Sequence, residues 1–120
     1  MNGHILIVED NPVDRLRLEK LLGEAGYSFA TAVNGTQALV EVRRSRPDAI
    51  LMDVNMPEMD GFAATRALQA DAQTRGIPVI LVTAKNQKAD KAWGQMLGAR
   101  GHITKPFSDE QLLLQVHALH

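Results

Sequence analysis

The sequence predicts an α/β domain: a five-stranded parallel sheet in the order 2-1-3-4-5, built from five βα units, with helices on both faces. Three observations carry this. Short apolar runs at 4–8, 49–52 and 79–82 lack the polar alternation of a half-exposed strand, as parallel strands buried on both faces require. Stretches of helical length and periodicity separate the runs, as right-handed crossovers demand. Finally, residues capable of chemistry follow the runs: Glu9 and Asp10, Asp53, Thr83 and Lys105. In open sheets of this kind the ligand site lies beyond the carboxyl ends of the strands. The order 2-1-3-4-5 brings the ends of strands one, three, four and five together and leaves strand two at the edge.

The elements follow in order. Residues 4–8, HILIV, are a strand-sized run that stops at Glu9-Asp10. Asn11 can cap a helix, and Pro12 suits its first turn, where the missing N–H would go unsatisfied anyway. From there Val13, Leu16, Leu21 and Ala25 fall at helical spacing, Leu18 and Leu22 widen the stripe, and Gly26 ends the helix. Residues 28–32, SFATA, make a weak strand. Asn34 with Gln37 resembles a capping box with Asn in place of Ser or Thr. The helix behind it runs to about Ser45, buries Ala38, Leu39 and Val42, and breaks at Pro47-Asp48. Residues 49–52, AILM, form a strand ending at Asp53. The loop 54–61 and a helix from about Phe62 to Ala70 come next. Gly76 and Pro78 punctuate the approach to VILV at 79–82, which ends at Thr83. A helix from about Gln87 to Leu97 carries Ala89, Trp93 and Met96. Gly98 and Gly101 bracket a turn, and a short strand from 102 stops near Thr104-Lys105. Ser108 with Gln111 forms a capping box, and Leu112, Leu113, Val116 and Leu119 face a core.

Composition bounds the function. The 120 residues make one domain, 1–120, with no room for a second catalytic or DNA-binding domain. Lys and Arg number 13 against 14 Asp and Glu, a net charge of −1. That argues against direct nucleic-acid binding, which usually shows a basic excess. The absence of Cys excludes disulfides, thiol catalysis and Cys-ligated metals. No apolar stretch approaches the roughly 20 residues of a membrane span, and no export signal precedes Glu9. The expectation is a cytoplasmic protein.

Three carboxylates, a hydroxyl and an amine converging from four loops suit phosphoryl transfer to a carboxylate. Hard oxygen ligands favour Mg²⁺. Asp10 and Asp53 would each supply an oxygen, Glu9 would hold a coordinated water, and the Asn55 backbone carbonyl would add a third protein ligand. Asp53 would be the nucleophile, as Asp is where aspartyl phosphate forms. Lys105 would bring a mobile positive charge to the phosphoryl group, and Thr83 a donor on the other side. Each residue also has an ordinary reading alone: a strand-end Asp caps a turn, Glu9-Asp10 decorates a first helical turn, and Lys105 is a solvated loop lysine. The joint placement is what is specific. No GxGxxG or GxxxxGK[ST] string supports a nucleotide site.

Over essentially its whole length the chain resembles the receiver domain of bacterial two-component response regulators, a flavodoxin-like fold. The matching pieces are ILIVEDN at 5–11, DAILMDVNMPEMDG at 48–61, PVILVTA at 78–84, GA at 98–99 and TKPF at 104–107. The resemblance implies that Asp53 is the phosphoacceptor, Glu9 and Asp10 the acidic metal pair, Thr83 the switch hydroxyl and Lys105 the active-site lysine. It also implies a cis bond between Lys105 and Pro106. The phosphoryl donor would be a phosphohistidine on a sensor kinase or histidine phosphotransfer domain. The response would be a changed surface over the helix at 87–97, the last strand and the last helix, read by a downstream protein. An aromatic residue three positions before the lysine often turns inward with the threonine. Here that position holds His102, which is smaller than Tyr or Phe and can carry charge near neutral pH. Asn55 and Lys85 occupy places that modulate the lifetime of the acyl phosphate.

The segment 88–107 looks like the single-domain regulators of type IV pilus chemosensory systems. Within it Trp93 has the spacing of a core residue and the chemistry of a docking anchor. Two rival functions remain: a phosphorylation-independent protein-binding adaptor with the same fold, and a hydrolase using an aspartyl-phosphate intermediate. The hydrolase lacks any cap domain for substrate recognition.

Overall fold

A computed structural model describes residues 3–56, 58–84, 95 and 97–119. Five strands, β1 (His4–Val8), β2 (Ser28–Ala32), β3 (Ala49–Asp53), β4 (Val79–Ala84) and β5 (Gly101–Lys105), form one parallel sheet in the order β2-β1-β3-β4-β5. Among the described residues four helices cover it: α1 (Pro12–Glu24), α2 (Gly35–Ser45), α3 (Gly61–Ala70) and α4 (Asp109–His117). The helix expected over 87–97 falls almost wholly outside the described residues, as does Trp93. Among the described residues, no helix is long and apolar enough to cross a membrane.

Why the strands read as unbroken apolar runs is visible in their burial. Every residue of β3 is buried, as are Ile5 to Val8 and Val79 to Thr83. Successive side chains on a strand point to opposite faces, so both faces must be covered. Ile5, Ile7, Leu51, Ile80 and Val82 turn to one layer with Leu18, Leu22, Leu112 and Val116 of α1 and α4. Leu6, Val8, Ile50, Met52 and Leu81 turn to the other, with Ala38 and Val42 of α2 and Ala64 and Leu68 of α3. The register Asp53↔Val82 and Thr83↔Thr104 aligns the carboxyl ends of β3, β4 and β5.

The predicted stripe of α1 needs correction. Leu18 and Leu22 are buried and Leu21 and Ala25 pack against them, but Val13 and Leu16 are 74% and 66% exposed. At about 100° per residue, Leu16 and Val13 lie on the side of the helix opposite Leu18. The helix has two apolar sets, and only the one in phase with Leu18 and Leu22 meets the sheet. In α4, Leu112 and Val116 are buried while Leu113 is half-buried.

Caps set where the helices begin. The Asn11 side chain accepts from the N–H groups of Val13 and Asp14, at 2.9 and 3.1 Å, with Pro12 at the first position. Asn34 accepts from Gln37 N–H at 2.8 Å, while Gln37 reaches back to Val33 N–H rather than to the cap residue itself. The Ser108–Gln111 box closes reciprocally, at 3.0 and 2.9 Å. Such caps each contribute about 1 kcal/mol. Gly61, first residue of α3, is a steric necessity: a Cβ there would lie 2.3 Å from the Asp53 carbonyl oxygen. The helix can therefore start directly against the end of β3, with Gly61 N–H donating to the Val54 carbonyl at 3.0 Å.

Candidate functional site

The carboxyl ends of β1, β3, β4 and β5 carry the residues expected there. Glu9 and Asp53 are buried, at 1% and 5% exposure, whereas Asp10 is exposed. One carboxylate oxygen from each of the three comes within 4.8 Å of the others. Lys105 enters from the end of β5, its Nζ 2.8 Å from Glu9 Oε1 and 3.6 Å from Asp53 Oδ1. Glu9 also accepts from Asn11 N–H at 3.3 Å.

Electrostatics at this cluster are unbalanced. Burial pushes the Asp53 carboxyl up to about 7, helped by the Glu9 charge, a hydrogen bond shared with Glu9 and the Asp10 charge, and opposed by Lys105. A carboxylate this costly to ionise alone is one that a nearby cation would complete. Burial works against the Lys105 ammonium, but the Glu9 hydrogen bond and the charges of Asp53 and Glu9 outweigh it, so its proton is held more tightly than usual. The donor set fits a small hard divalent cation: carboxylate oxygens converging from two strand ends, with Asp10 open to solvent for the remaining waters. When bound, Mg²⁺ would neutralise carboxylate and phosphoryl charge. Glu9, Asp10 and Asp53 are the side chains that would hold it. Asn55 lies two residues beyond Asp53, exposed in the loop before α3.

Thr83, fully buried at the end of β4, and His102 in the neighbouring strand β5 meet directly: Thr83 Oγ1 and His102 Nε2 are 2.8 Å apart. A phenylalanine at 102 could make no such bond. His102 also lines a cavity of about 210 Å³ with Arg100, Gly101, Gln95 and Gln115. The ring therefore has Thr83 as one polar partner and borders this cavity. Lys85 lies outside the described residues.

Three residues that sequence reasoning passed over complete the setting. Arg15 of α1 donates to the Glu9 carbonyl at 3.0 Å, holding the β1–α1 loop. Arg17 donates to the Phe107 carbonyl at 2.8 Å, pairs with Asp109 at 2.9 Å and stacks 4.6 Å from the centre of the Phe107 ring. It clamps the loop after Lys105, whose bond to Pro106 is cis. Asp14 meets the Lys105 ammonium at 3.1 Å. Only Asp14 left a signal in the sequence, one helical turn after Asp10, and that spacing alone does not name its partner.

Comparison with known proteins agrees with this geometry. The family model described as the response regulator receiver domain matches residues 5–117. Protein PilH of Pseudomonas aeruginosa is 44% identical over 117 residues, covering 98% of this chain and 97% of its own. The response regulator PleD of Caulobacter vibrioides is 41% identical over 119 residues, and there the match spans 99% of this chain but 26% of PleD. Among solved structures, the receiver domain of a Pseudomonas aeruginosa sensor histidine kinase, with a magnesium ion coordinated in its active-site cleft, superposes with a TM-score of 0.90 at 34% identity, covering 99% of this chain and 98% of that one. A chemotaxis response regulator of Vibrio cholerae gives 0.92 at 32% identity over the whole of both chains.

Proposed function

The chain belongs to the response regulator receiver domain family and is a Mg²⁺-dependent phosphoacceptor switch, and we propose that Asp53 is its acceptor within a single receiver domain spanning 1–120. The observation that carries this is the meeting of Glu9, Asp10 and Asp53 within 4.8 Å, with Lys105 beside them. A carboxylate oxygen of Asp53 attacks phosphorus, the bond from phosphorus to the donor imidazole nitrogen breaks, and its electron pair leaves with that nitrogen. Water later attacks phosphorus, releasing inorganic phosphate and restoring the carboxylate. In this reading Asp10, Asp53 and the Asn55 carbonyl would be the protein ligands of the metal, and Glu9 would hold one of its waters. Lys105 donates to a phosphoryl oxygen. Asn55 and Lys85, at the positions that modulate attack of water in the family, tune the lifetime of the acyl phosphate.

Thr83 is the sensor of the phosphoryl group. Its hydroxyl has one proton to donate, so turning toward a phosphoryl oxygen releases any bond in which it donates to His102. Loss of that bond lets the His102 ring shift relative to the cavity beside Gln115, changing the surface of β5 and α4. Phosphorylation selects between two arrangements that differ in this contact.

As a two-component receiver the chain takes its phosphoryl group from a histidine kinase or phosphotransfer partner and signals to a downstream protein. The resemblance of 88–107 and the similarity to PilH support a type IV pilus chemosensory pathway as the setting.

The test is intact-mass spectrometry after incubation with Mg²⁺ and acetyl phosphate, with Asp53→Asn in parallel. The wild type gains one phosphoryl group, the gain disappears when Mg²⁺ is chelated, and Asp53→Asn gains nothing. Equal labelling of Asp53→Asn would remove Asp53 from the role.

A further inference from the structure

The Lys105 ammonium has three donors and no acceptor, and both of its side-chain hydrogen bonds run to α1 and the turn before it. Glu9 accepts at 2.8 Å and Asp14 at 3.1 Å, whereas Asp53 Oδ1, at 3.6 Å, is an ion-pair partner beyond hydrogen-bond length. The two hydrogen-bonded carboxylates differ in kind. Glu9 is buried, while the Asp14 side chain is 42% exposed at the rim. Asp14 stands in the first turn of α1, where the Asn11 cap fixes the backbone and the positive end of the helix dipole favours a negative charge. Asp14 is thus a second, solvent-facing anchor on Lys105, the cation that meets the cluster among the described residues.

We infer that Asp14 is a positioning residue for Lys105: it draws the ammonium toward α1 and away from the acceptor, and a phosphoryl group on Asp53 must compete with it for the lysine. The inference rests on the reading of Asp53 as acceptor. A phosphoryl group brings close to two negative charges and three strong acceptor oxygens. Directing a Lys105 donor toward them while Glu9 remains bonded is easiest if the bond to Asp14 is given up. Glu9 is the harder partner to abandon, because a buried carboxylate left unpaired is costly. Asp14 is the easier one, because water replaces the lost bond. The tether therefore sets how readily the lysine turns to its task, without touching the reacting atoms.

The experiment compares wild type, Asp14→Asn and Asp14→Glu with acetyl phosphate and Mg²⁺, separating the maximal labelling rate constant from the half-saturating donor concentration. Asp14→Asn raises the maximal rate constant about threefold, equivalent to about 0.6 kcal/mol and in the range of half-exposed pairs. The half-saturating concentration stays as in wild type, and Asp14→Glu returns the rate toward wild type. An unchanged maximal rate overturns the inference. So does a change confined to the half-saturating concentration, which would mean only a general charge effect on an anionic donor. A second readout needs no phosphoryl group: the ¹⁵N NMR signal of the Lys105 side chain, metal-free. It shifts in Asp14→Asn and stays near wild type in Asp14→Glu; a signal indifferent to Asp14→Asn overturns the tether. Failure of the wild type to label, with the Lys105 signal answering to Asp14, would instead overturn the acceptor reading and uphold the tether.

Discussion

The two ends of the sheet solve opposite problems. At the amino end, polar groups match one to one. Ser28 N–H donates to the Gly3 carbonyl, Asp48 N–H to His4, Ile50 N–H to Pro78 and Arg100 N–H to Val79. Asp48 in turn accepts from His4 N–H at 2.8 Å, and the His4 ring meets Ser28 Oγ at 2.9 Å. At the carboxyl end three carboxylates crowd one ammonium, with Asp10 alongside. One end closes on itself; the other holds more negative charge than it can neutralise. The surplus is what makes the second end reactive toward cations and phosphoryl groups.

The largest effect that separates the two ends comes from Lys105→Met. It leaves Glu9 buried without its cation, which costs about 2–4 kcal/mol without metal near pH 8. The cost shrinks near pH 5, where Asp53 holds a proton and the cluster carries less negative charge. Urea unfolding at both pH values checks this, and a loss of equal size at both would contradict it.

Next comes the pH dependence of the wild type. Asp53 is held at about 7 in the fold against an ordinary 3.8. Between those values the folded protein keeps a proton that the unfolded chain has released. Its contribution is present below about pH 4 and is lost as the pH rises through about 7. In chelator, stability should fall by on the order of 2 kcal/mol between about pH 4.5 and 8. Mg²⁺ flattens the slope, because it favours the ionised carboxylates. A rise in stability over that range in chelator would refute the imbalance.

The smallest effects make the sharpest pair. Asn11→Ala removes the α1 cap and Asp48→Ala removes the acceptor for His4 N–H, each at about 1 kcal/mol. Labelling by acetyl phosphate should change only in Asn11→Ala, since α1 carries Asp14 to Lys105. Equal labelling rates in the two variants would show that the position of α1 does not reach the site.

Much of this was legible in the sequence. β1, β3 and β4 declare themselves because strands covered on both faces have no polar alternation to confuse them. Glu9, Asp10, Asp53, Thr83 and Lys105 stand out because the topology sends the ends of β1, β3, β4 and β5 to one place. Even β2, with its weak SFATA pattern, was placed by the helices around it. The phase of α1 was not legible. Val13 and Leu16 compete with Leu18 and Leu22 for the stripe, and only the sheet decides between them. The partners of Asp14 and Arg17 were hidden for a different reason: they lie in a loop and strand some ninety positions later. Local periodicity carries no information about contacts at that separation. The direct bond between Thr83 and His102 is intermediate, since adjacent strand ends were foreseen but not their side-chain pairing.

The long reach between Glu9 and Lys105, 96 positions apart, also has a bearing on biosynthesis. A nascent chain that has emerged only as far as Thr83 already displays every acidic group of the cluster, yet has no lysine to counter them. Among the described residues β5 pairs with β4 alone, and it is the last strand in chain order, so the lysine is the last member of the cluster to be synthesised. A chain that stops short of β5 thus holds the carboxylates of the cluster without Lys105, the ammonium that bonds Glu9 and Asp14.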